Sequence, residues 1–314
     1  MFLPLFFELP ILYCVTESSK GTIIIVYCPL HRAYAKINLG LLVVEKRPDS
    51  YHNIETIFHR IDLSDEIHFE QAPAILVSCS TDEAPSNETN ICYKAAQLLQ
   101  QHAGVRSGVK ITIKKNIPVG AGLGGGSADA GLVLRELPGF WGCTVSDAVL
   151  QSIGLQLGSD VPYFLGKGTA LAKGRGEILE YFQLDVPYSI LVCHPNIHVS
   201  TAWAYQRVTP AKLSIDLKRL VIEGMKNPLH LVNGLRNDFE PAVFREHPEI
   251  MRVKETMMRG GADFALMSGS GSSVFAFFSR ADFAREVEEH LQSLGYRTSL
   301  TKPHFSRTPG HRTN

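Results

Sequence analysis

The stretch "GVKITIKKNIPVGAGLGGGSADAGLVLREL" restricts this chain more than any other. Residues 108–118 alternate apolar and polar side chains, the period of a half-buried strand. Five glycines then fill the seven positions 120–126. Residues 127–137 space their apolar side chains as a helix does, and Pro138 is expected to stop or kink it. Glycine loses more backbone freedom on ordering than any other residue, so a bare turn has no use for so many. A strand, a glycine loop and a helix together make an anion cradle. The loop turns amide N–H groups inward, and the helix N-terminus adds about half a positive charge.

Two familiar phosphate loops fit poorly. The pattern G-x-x-x-x-G-K-[ST] begins at Gly120 and Gly125, but Gly126 stands where it needs lysine. The pattern G-x-G-x-x-G is met by Gly120, Gly122 and Gly125. However, no acidic residue closes a following strand about 20 positions on, as dinucleotide binding requires.

The chain has 314 residues, enough for about two domains of ~150 residues. Its 31 Lys and Arg balance 31 Asp and Glu, which gives no support for a nucleic-acid partner or an anionic membrane. Cys14, Cys28, Cys79, Cys92, Cys143 and Cys193 are scattered without a C-x-x-C pair. That pattern argues against a zinc site or disulfide framework and fits ordinary thiols in a reducing cytoplasm. The apolar start carries Glu8, Pro4 and Pro10 and no basic lead, and is shorter than the ~18–20 residues a membrane span needs. Residues 1–26 read as an extension, or alternatively as a docked extra strand or helix.

The remaining pattern suggests a strand at 33–46, two short strands around a polar turn within 54–69, and a helix at 90–102 with Asn90 as N-cap. A helix follows at 144–158, then a strand region at 158–165, a hairpin at 168–182 and a strand at 188–195. Helices are expected near 201–206, 214–223, 228–232 and 248–260, with "NDFEPAVF" as an acidic stretch between them. A strand–loop–strand at 264–279, a helix at 281–294 and a strand near 296–301 complete the pattern, and residues 303–314 read as a disordered tail.

Three further stretches carry chemistry. "YAKINLGL" puts Lys36 and Asn38 on one face of a strand; alone, such a lysine snorkels or faces a polar cleft. "LGSDVPYF" holds Asp160, which alone reads as a turn or capping residue. "LMSGSGSSVFAFF" is a second Gly/Ser loop, which alone could be a plain hairpin.

In this order the three stretches and the central loop resemble the superfamily of galactokinase, homoserine, mevalonate and phosphomevalonate kinases, the GHMP kinases. "PVGAGLGGGSADA" is similar to its central P-x-x-x-G-L-G-S-S-A motif, with Gly125 and Gly126 in place of the first serine. "LMSGSGSSVFAFF" is similar to its third motif. The likeness covers about residues 30 to 300. Within the superfamily, "YAKINLGL", "RPDSYHNIET", "GLGGGSADA" and "GSDVPYF" resemble the branch that phosphorylates a cytidine diphosphate-linked methylerythritol in the non-mevalonate isoprenoid route. This chain departs from that branch at Ser50, which replaces a glycine, at Tyr34, which replaces a proline, and at Pro138-Gly139, which should shorten one helix.

The resemblance implies an α+β fold in two domains with the site between them. An ATP-binding domain like ribosomal protein S5 domain 2 is expected at 27–186, and a ferredoxin-like domain at 187–302. It implies ATP-dependent phosphorylation of the acceptor's 2-hydroxyl with Mg²⁺, Asp160 as general base and Lys36 beside it. Pro118, Val119, Gly120, Ala121, Gly122, Leu123, Gly124, Gly125, Gly126, Ser127 and Ala128 would wrap the nucleotide's phosphates, with Asn90 and Lys115 at the adenosine and Ser127 a candidate Mg²⁺ ligand. Asn38, Tyr51, His52, Thr201 and Tyr205, with Gly269, Ser270 and Gly271 of the third motif, would hold the small-molecule acceptor, and the cytosine would stack on Tyr51 and Tyr205. His194 and His198 read as structural. The alternatives are another GHMP kinase acting on a mevalonate-like or sugar alcohol, or a non-catalytic nucleotide-binding member. The latter would be expected to lack the lysine or the aspartate. Oligomeric state is not legible.

Overall fold

A computed structural model of the chain describes residues 11–17, 23–210 and 215–305. Strands β1 (Ile11–Glu17) and β2 (Ile23–Pro29) pair antiparallel as a separate two-stranded sheet. Next come β3 (His31–Lys46) and β4 (His52–Ala72). The two short strands expected in 54–69 are one 21-residue strand. It stays continuous because different stretches of β4 serve different partners. β3 pairs along most of it, from His52 to Ile67, and β6 (Gly108–Lys114) pairs with its last third, Glu66 to Ala72. The polar residues Ser64 and Asp65 that looked like a turn are instead ladder positions opposite Tyr34 and Ala33.

β5 (Ile75–Cys79) joins β6 in parallel, and α1 (Ile91–Ala103) runs between them in sequence. Asn90 caps α1 through Oδ1, which accepts from the Cys92 N–H at 2.8 Å. Helix α2 (Gly125–Phe140) follows the central loop. Pro138 does not shorten it: α2 runs on to Phe140, two residues past the proline. α3 (Asp147–Leu157) comes next. Residues 161–165 then form a short helix, α4 (Val161–Leu165), rather than the expected strand, since Pro162 suits a first helical turn. β7 (Thr169–Lys173) and β8 (Ile178–Phe182) complete a six-stranded sheet whose ordered path runs β5-β6-β4-β7-β8, with β3 on β4.

Strand β9 (Ser189–His194) starts a second sheet. Helices α5 (Thr201–Arg207), α6 (Leu217–Gly224), α7 (Leu229–Gly234), α8 (Glu240–Glu246) and α9 (Pro248–Arg259) follow. α8 is the stretch read from its acidic residues alone; Pro241 at its start supports a helix. β10 (Phe264–Met267), β11 (Val274–Phe278), α10 (Ala281–Ser293) and β12 (Arg297–Thr301) close the fold. The sheet order β10-β11-β9-β12, all antiparallel, is the ferredoxin-like order.

The layers follow from alternation. Ile190, Val192, Phe275 and Phe277 face Ile37, Leu39, Ile57 and Ile61 of the large sheet. Leu191, Cys193, Ala276 and Phe278 point the other way, onto Val253, Met257 and Leu291 of α9 and α10. β9 is therefore buried on both faces and reads as an unbroken apolar run. Helices α1, α2 and α3 cover the far face of the large sheet.

Cys92 and Cys193 are buried, Cys79 and Cys143 half-buried, and all four are free thiols. Burial pushes Cys193 up to about 12, so it is an inert thiol. No described helix is long and apolar enough to cross a membrane. The candidate tail residues 306–314 lie outside the described residues.

Candidate active site

The two glycine loops pack back to back. Gly122 has φ +78, and a Cβ there would run into the carbonyl oxygens of Ser268 and Gly271. Ser268 Oγ donates to Gly122 O at 3.0 Å, and Ser273 N–H donates to Ala121 O at 3.2 Å. Asn237 fixes the third loop from outside: its Nδ2 donates to Met267 O and Gly269 O, both at 2.8 Å.

Lys36 rises from β3 beneath the central loop, and its three N–H donors find three partners. Nζ donates to Asn38 Oδ1 at 2.7 Å and to Gly122 O at 3.2 Å, and lies 3.5 Å from Asp160 Oδ2. Burial pulls this ammonium below its ordinary value, and the Asp160 carboxylate opposes the shift. Asp160 occupies the N-cap position of α4, yet its side chain makes no capping bond and instead faces the lysine. Asn38 is held in turn: Nδ2 donates to Thr56 Oγ1 at 2.9 Å, and Ser268 Oγ accepts from the Asn38 N–H at 3.2 Å.

These groups line a cleft of about 440 Å³, within the range of small-molecule sites. Of the candidate nucleotide residues, Asn90, Lys115, Pro118 to Gly122 and Gly124 to Ser127 line it. Leu123 and Ala128 turn their side chains into the core. Ala128 also spends its N–H on Gly124 O, so both support the loop from beneath. Lys115 is already occupied: its Nζ donates to Asp129 Oδ2 at 2.7 Å and to Asp65 Oδ2. Burial drives the Asp129 carboxyl well above its usual range against the pull of Lys115, with Asp65 adding to the rise.

Of the candidate acceptor residues, Asn38, Thr201, Tyr205, Gly269 and Ser270 line the cleft. Thr201 Oγ1 and Ser270 Oγ are 2.9 Å apart and tie α5 to the third loop. Gly271, at φ +90, turns that loop. His52 stacks on Tyr205 with ring centres 5.0 Å apart, and Tyr205 meets the Phe239 edge at 4.9 Å. Tyr51 is 54% exposed and does not line the cleft itself; the Arg175 guanidinium lies 4.8 Å over its ring.

Ser50 explains the turn that carries Tyr51 and His52. Ser50 N–H donates to Arg47 O at 3.2 Å, and Arg47 N–H donates to Tyr51 O at 2.8 Å. Pro48 and Asp49 thus lead into a left-handed residue, Ser50, at φ +69. Glycine takes that conformation freely, so a serine holds it under strain. His194 is buried, its Nδ1 is 3.1 Å from Ser272 Oγ, and burial pulls it down to about 4; His198 is exposed.

Sequence reasoning missed Arg175, Asp129, Phe239 and Glu83, which also line the cleft. "KGRGE" gave a signal, a cation between two glycines in a hairpin turn; the others had none. Among the described residues, no three or more His, Cys, Asp or Glu gather as a metal-binding group. The Ser127 hydroxyl and Asp160 carboxylate are a sparse oxygen set. It suits an ion that keeps most of its ligands as water and phosphate oxygen.

The chain is similar to known proteins along most of its length. Residues 90–168 match the family model of the GHMP kinases N terminal domain, and residues 218–297 that of the GHMP kinases C terminal domain. A 4-diphosphocytidyl-2-C-methyl-D-erythritol kinase of Chlorobium limicola is 44% identical over 88% of this chain and 97% of its own. The kinase of that name from Chlorobium chlorochromatii is 44% identical over 89% and 98%. A crystal structure of 4-(cytidine 5'-diphospho)-2C-methyl-D-erythritol kinase superposes with a TM-score of 0.73 at 34% identity, covering 87% of this chain and 98% of that one. Homoserine kinase from Cytophaga hutchinsonii shares the fold, with a TM-score of 0.64 at 17% identity over 86% and 95%. The chain belongs to the GHMP kinases, and within them to the family of the 4-diphosphocytidyl-2-C-methyl-D-erythritol kinases.

Proposed function

We propose that this protein is an ATP-dependent kinase that phosphorylates the 2-hydroxyl of 4-diphosphocytidyl-2-C-methyl-D-erythritol, a step of non-mevalonate isoprenoid precursor synthesis in the cytoplasm. The observation that carries the reading is the 3.5 Å approach of Lys36 Nζ to Asp160 Oδ2 beneath two interlocked glycine loops.

Phosphoryl transfer needs positioning and charge stabilisation more than covalent help. The bare amides of Gly120 to Ser127 and the N-terminus of α2 receive the phosphates. Asn90 would meet the adenosine, and Lys115 lines the same cleft. Asp160 accepts the proton of the acceptor hydroxyl at its carboxylate oxygen. Lys36, held by Asn38 and Gly122 O, lies 3.5 Å from Asp160 Oδ2 and faces the charge that develops on the transferred group. Tyr205, backed by His52 and Phe239, offers a flat apolar wall for the cytosine, with Tyr51 and Arg175 at the rim. Asn38, Thr201 and the third loop, Gly269 to Gly271, bound the rest of the acceptor. Ser127 would hold Mg²⁺, and Asp160 lines the same cleft. When bound, the ion supplies charge neutralisation across the phosphates.

The test is ATP consumption that depends on the cytidyl acceptor. Asp160→Asn should abolish turnover while sparing ATP affinity, and Lys36→Ala should cost on the order of 10²-fold or more in rate. Turnover near wild type in Asp160→Asn removes it from the base role. Faster turnover on mevalonate, homoserine or a sugar alcohol would replace the acceptor.

A further inference from the structure

We propose that Asp65, Lys115 and Asp129 form a buried clip that joins the two ends of the central glycine loop and sets its affinity for the nucleotide, without touching the nucleotide. The proposal rests on the kinase reading above and concerns how that loop is held.

Lys115 directly follows β6 and precedes the loop; Asp129 lies in the second turn of α2, just beyond it. The Lys115 Nζ to Asp129 Oδ2 bond, at 2.7 Å, therefore closes the loop at its base. Asp65 comes from the middle of β4 and ties the entry side to the sheet. Its Oδ2 accepts from Lys115 Nζ, and its Oδ1 accepts from the Asn116 and Ile117 N–H groups at 2.6 and 2.8 Å. The three side chains are only 6%, 0% and 4% exposed for Lys115, Asp65 and Asp129. The loop also sits directly on the clip. A Cβ at Gly125 would lie 2.9 Å from Ile117 Cγ2 and 3.5 Å from Lys115 Nζ. A side chain at Gly125 would therefore press on the clip.

Two physical points give the clip its role. One ammonium shared between the Asp65 carboxylate and the Asp129 carboxyl carries no net positive charge, so Lys115 is poorly suited to bind a polyphosphate directly. A loop rich in glycine has much conformational freedom to lose when it closes on a ligand, and fixing its ends beforehand removes part of that cost. Lys115, Asp65 and Asp129 are thus positioning residues. Their loss should weaken nucleotide binding before it touches acceptor binding or chemistry.

The experiment measures the Kd for a non-hydrolysable ATP analogue by calorimetry, KM for ATP and for the cytidyl acceptor, kcat, and melting temperature. Asp129→Leu and Lys115→Met should each raise the analogue Kd and the ATP KM about tenfold or more, with acceptor KM within about twofold. Asp129→Asn keeps an oxygen that accepts from Lys115 and should bring Kd back to within about threefold of wild type. The Lys115→Met/Asp129→Leu double variant should be no worse than Lys115→Met alone, because both break one clip. Should Asp129→Leu fail to fold, Asp129→Ser carries the same test without added bulk. A raised Kd in Lys115→Met with wild-type Kd in the Asp129 variants would overturn the proposal, because Lys115 would then be touching the nucleotide. Parallel loss of both KM values, kcat and melting temperature would overturn it equally, as general damage. Calorimetry needs no acceptor, so it decides this point whichever alcohol is phosphorylated.

Discussion

Replacing Gly122 by alanine tests the arrangement of the two loops most directly. At φ +78 the backbone lies in the left-handed region, which costs a residue with a Cβ about 1–2 kcal/mol. The new methyl would also fall far inside the 3.0 Å that real Cβ atoms keep from Ser268 O, and 3.1 Å from Gly271 O. Both obstacles are main chain and cannot rotate away, so one loop must retreat, an overpacking cost of about 1–3 kcal/mol. The sum is a loss of about 2–5 kcal/mol. At about 2–4 °C per kcal/mol, the melting temperature should fall by at least about 4 °C. The retreat also moves Gly122 O, which accepts from Lys36 Nζ. A displacement of about 1 Å at such a group costs on the order of 10²-fold in kcat/KM, readable in a coupled ATP assay with the cytidyl acceptor. Gly126→Ala is the control for folding. Its Cβ meets nothing nearer than Ile91 Cγ2 at 3.8 Å, and alanine is the better helix former, so its melting temperature should hold or rise. If Gly122→Ala melts and turns over like wild type, the loops do not interlock and the reasoning fails.

Ser50→Gly should raise stability by about 1 kcal/mol by relieving the left-handed serine, with acceptor KM held or improved; an unchanged or lower urea midpoint would contradict the strain. Burial pulls the His59 imidazole down to about 4, and its Nδ1 is 2.8 Å from Thr169 Oγ1. Below pH 6.5 the unfolded chain takes up a proton that the folded chain refuses, so stability is full above pH 6.5 and falls as pH drops towards 4. The loss reaches about 3 kcal/mol from this group. Denaturant midpoints between pH 7 and 4.5 check it, and His59→Gln should flatten the slope.

Much of the site was legible because its chemistry lies in short stretches. Strand alternation put Lys36 and Asn38 on one face, and they are 2.7 Å apart. The glycine loop announced an anion cradle before any partner was known. What could not be read were properties set by distant neighbours. The length of β4 depends on β3, β6 and β7 each taking part of it. Asp160 looked like a cap until a lysine 124 positions earlier reached it. Asp129 sat on an apolar helix with no sign that Lys115 and Asp65 would gather around it. The place of Tyr51 depends on a hairpin turn whose Ser50 takes an unfavourable φ, which a sequence pattern alone does not show.

The facing sheets have a mechanical consequence. Aromatic rings from β11 are wedged against aliphatic branches of β3 and β4, and Leu41 exchanges main-chain hydrogen bonds with Arg236 and Asp238 across the same seam. A joint filled in this way resists swinging, because any opening would wet Phe275 and Phe277. The seam therefore favours a constant spacing between the two sheets, and adaptation to reactants falls to the small loops at the cleft's lips.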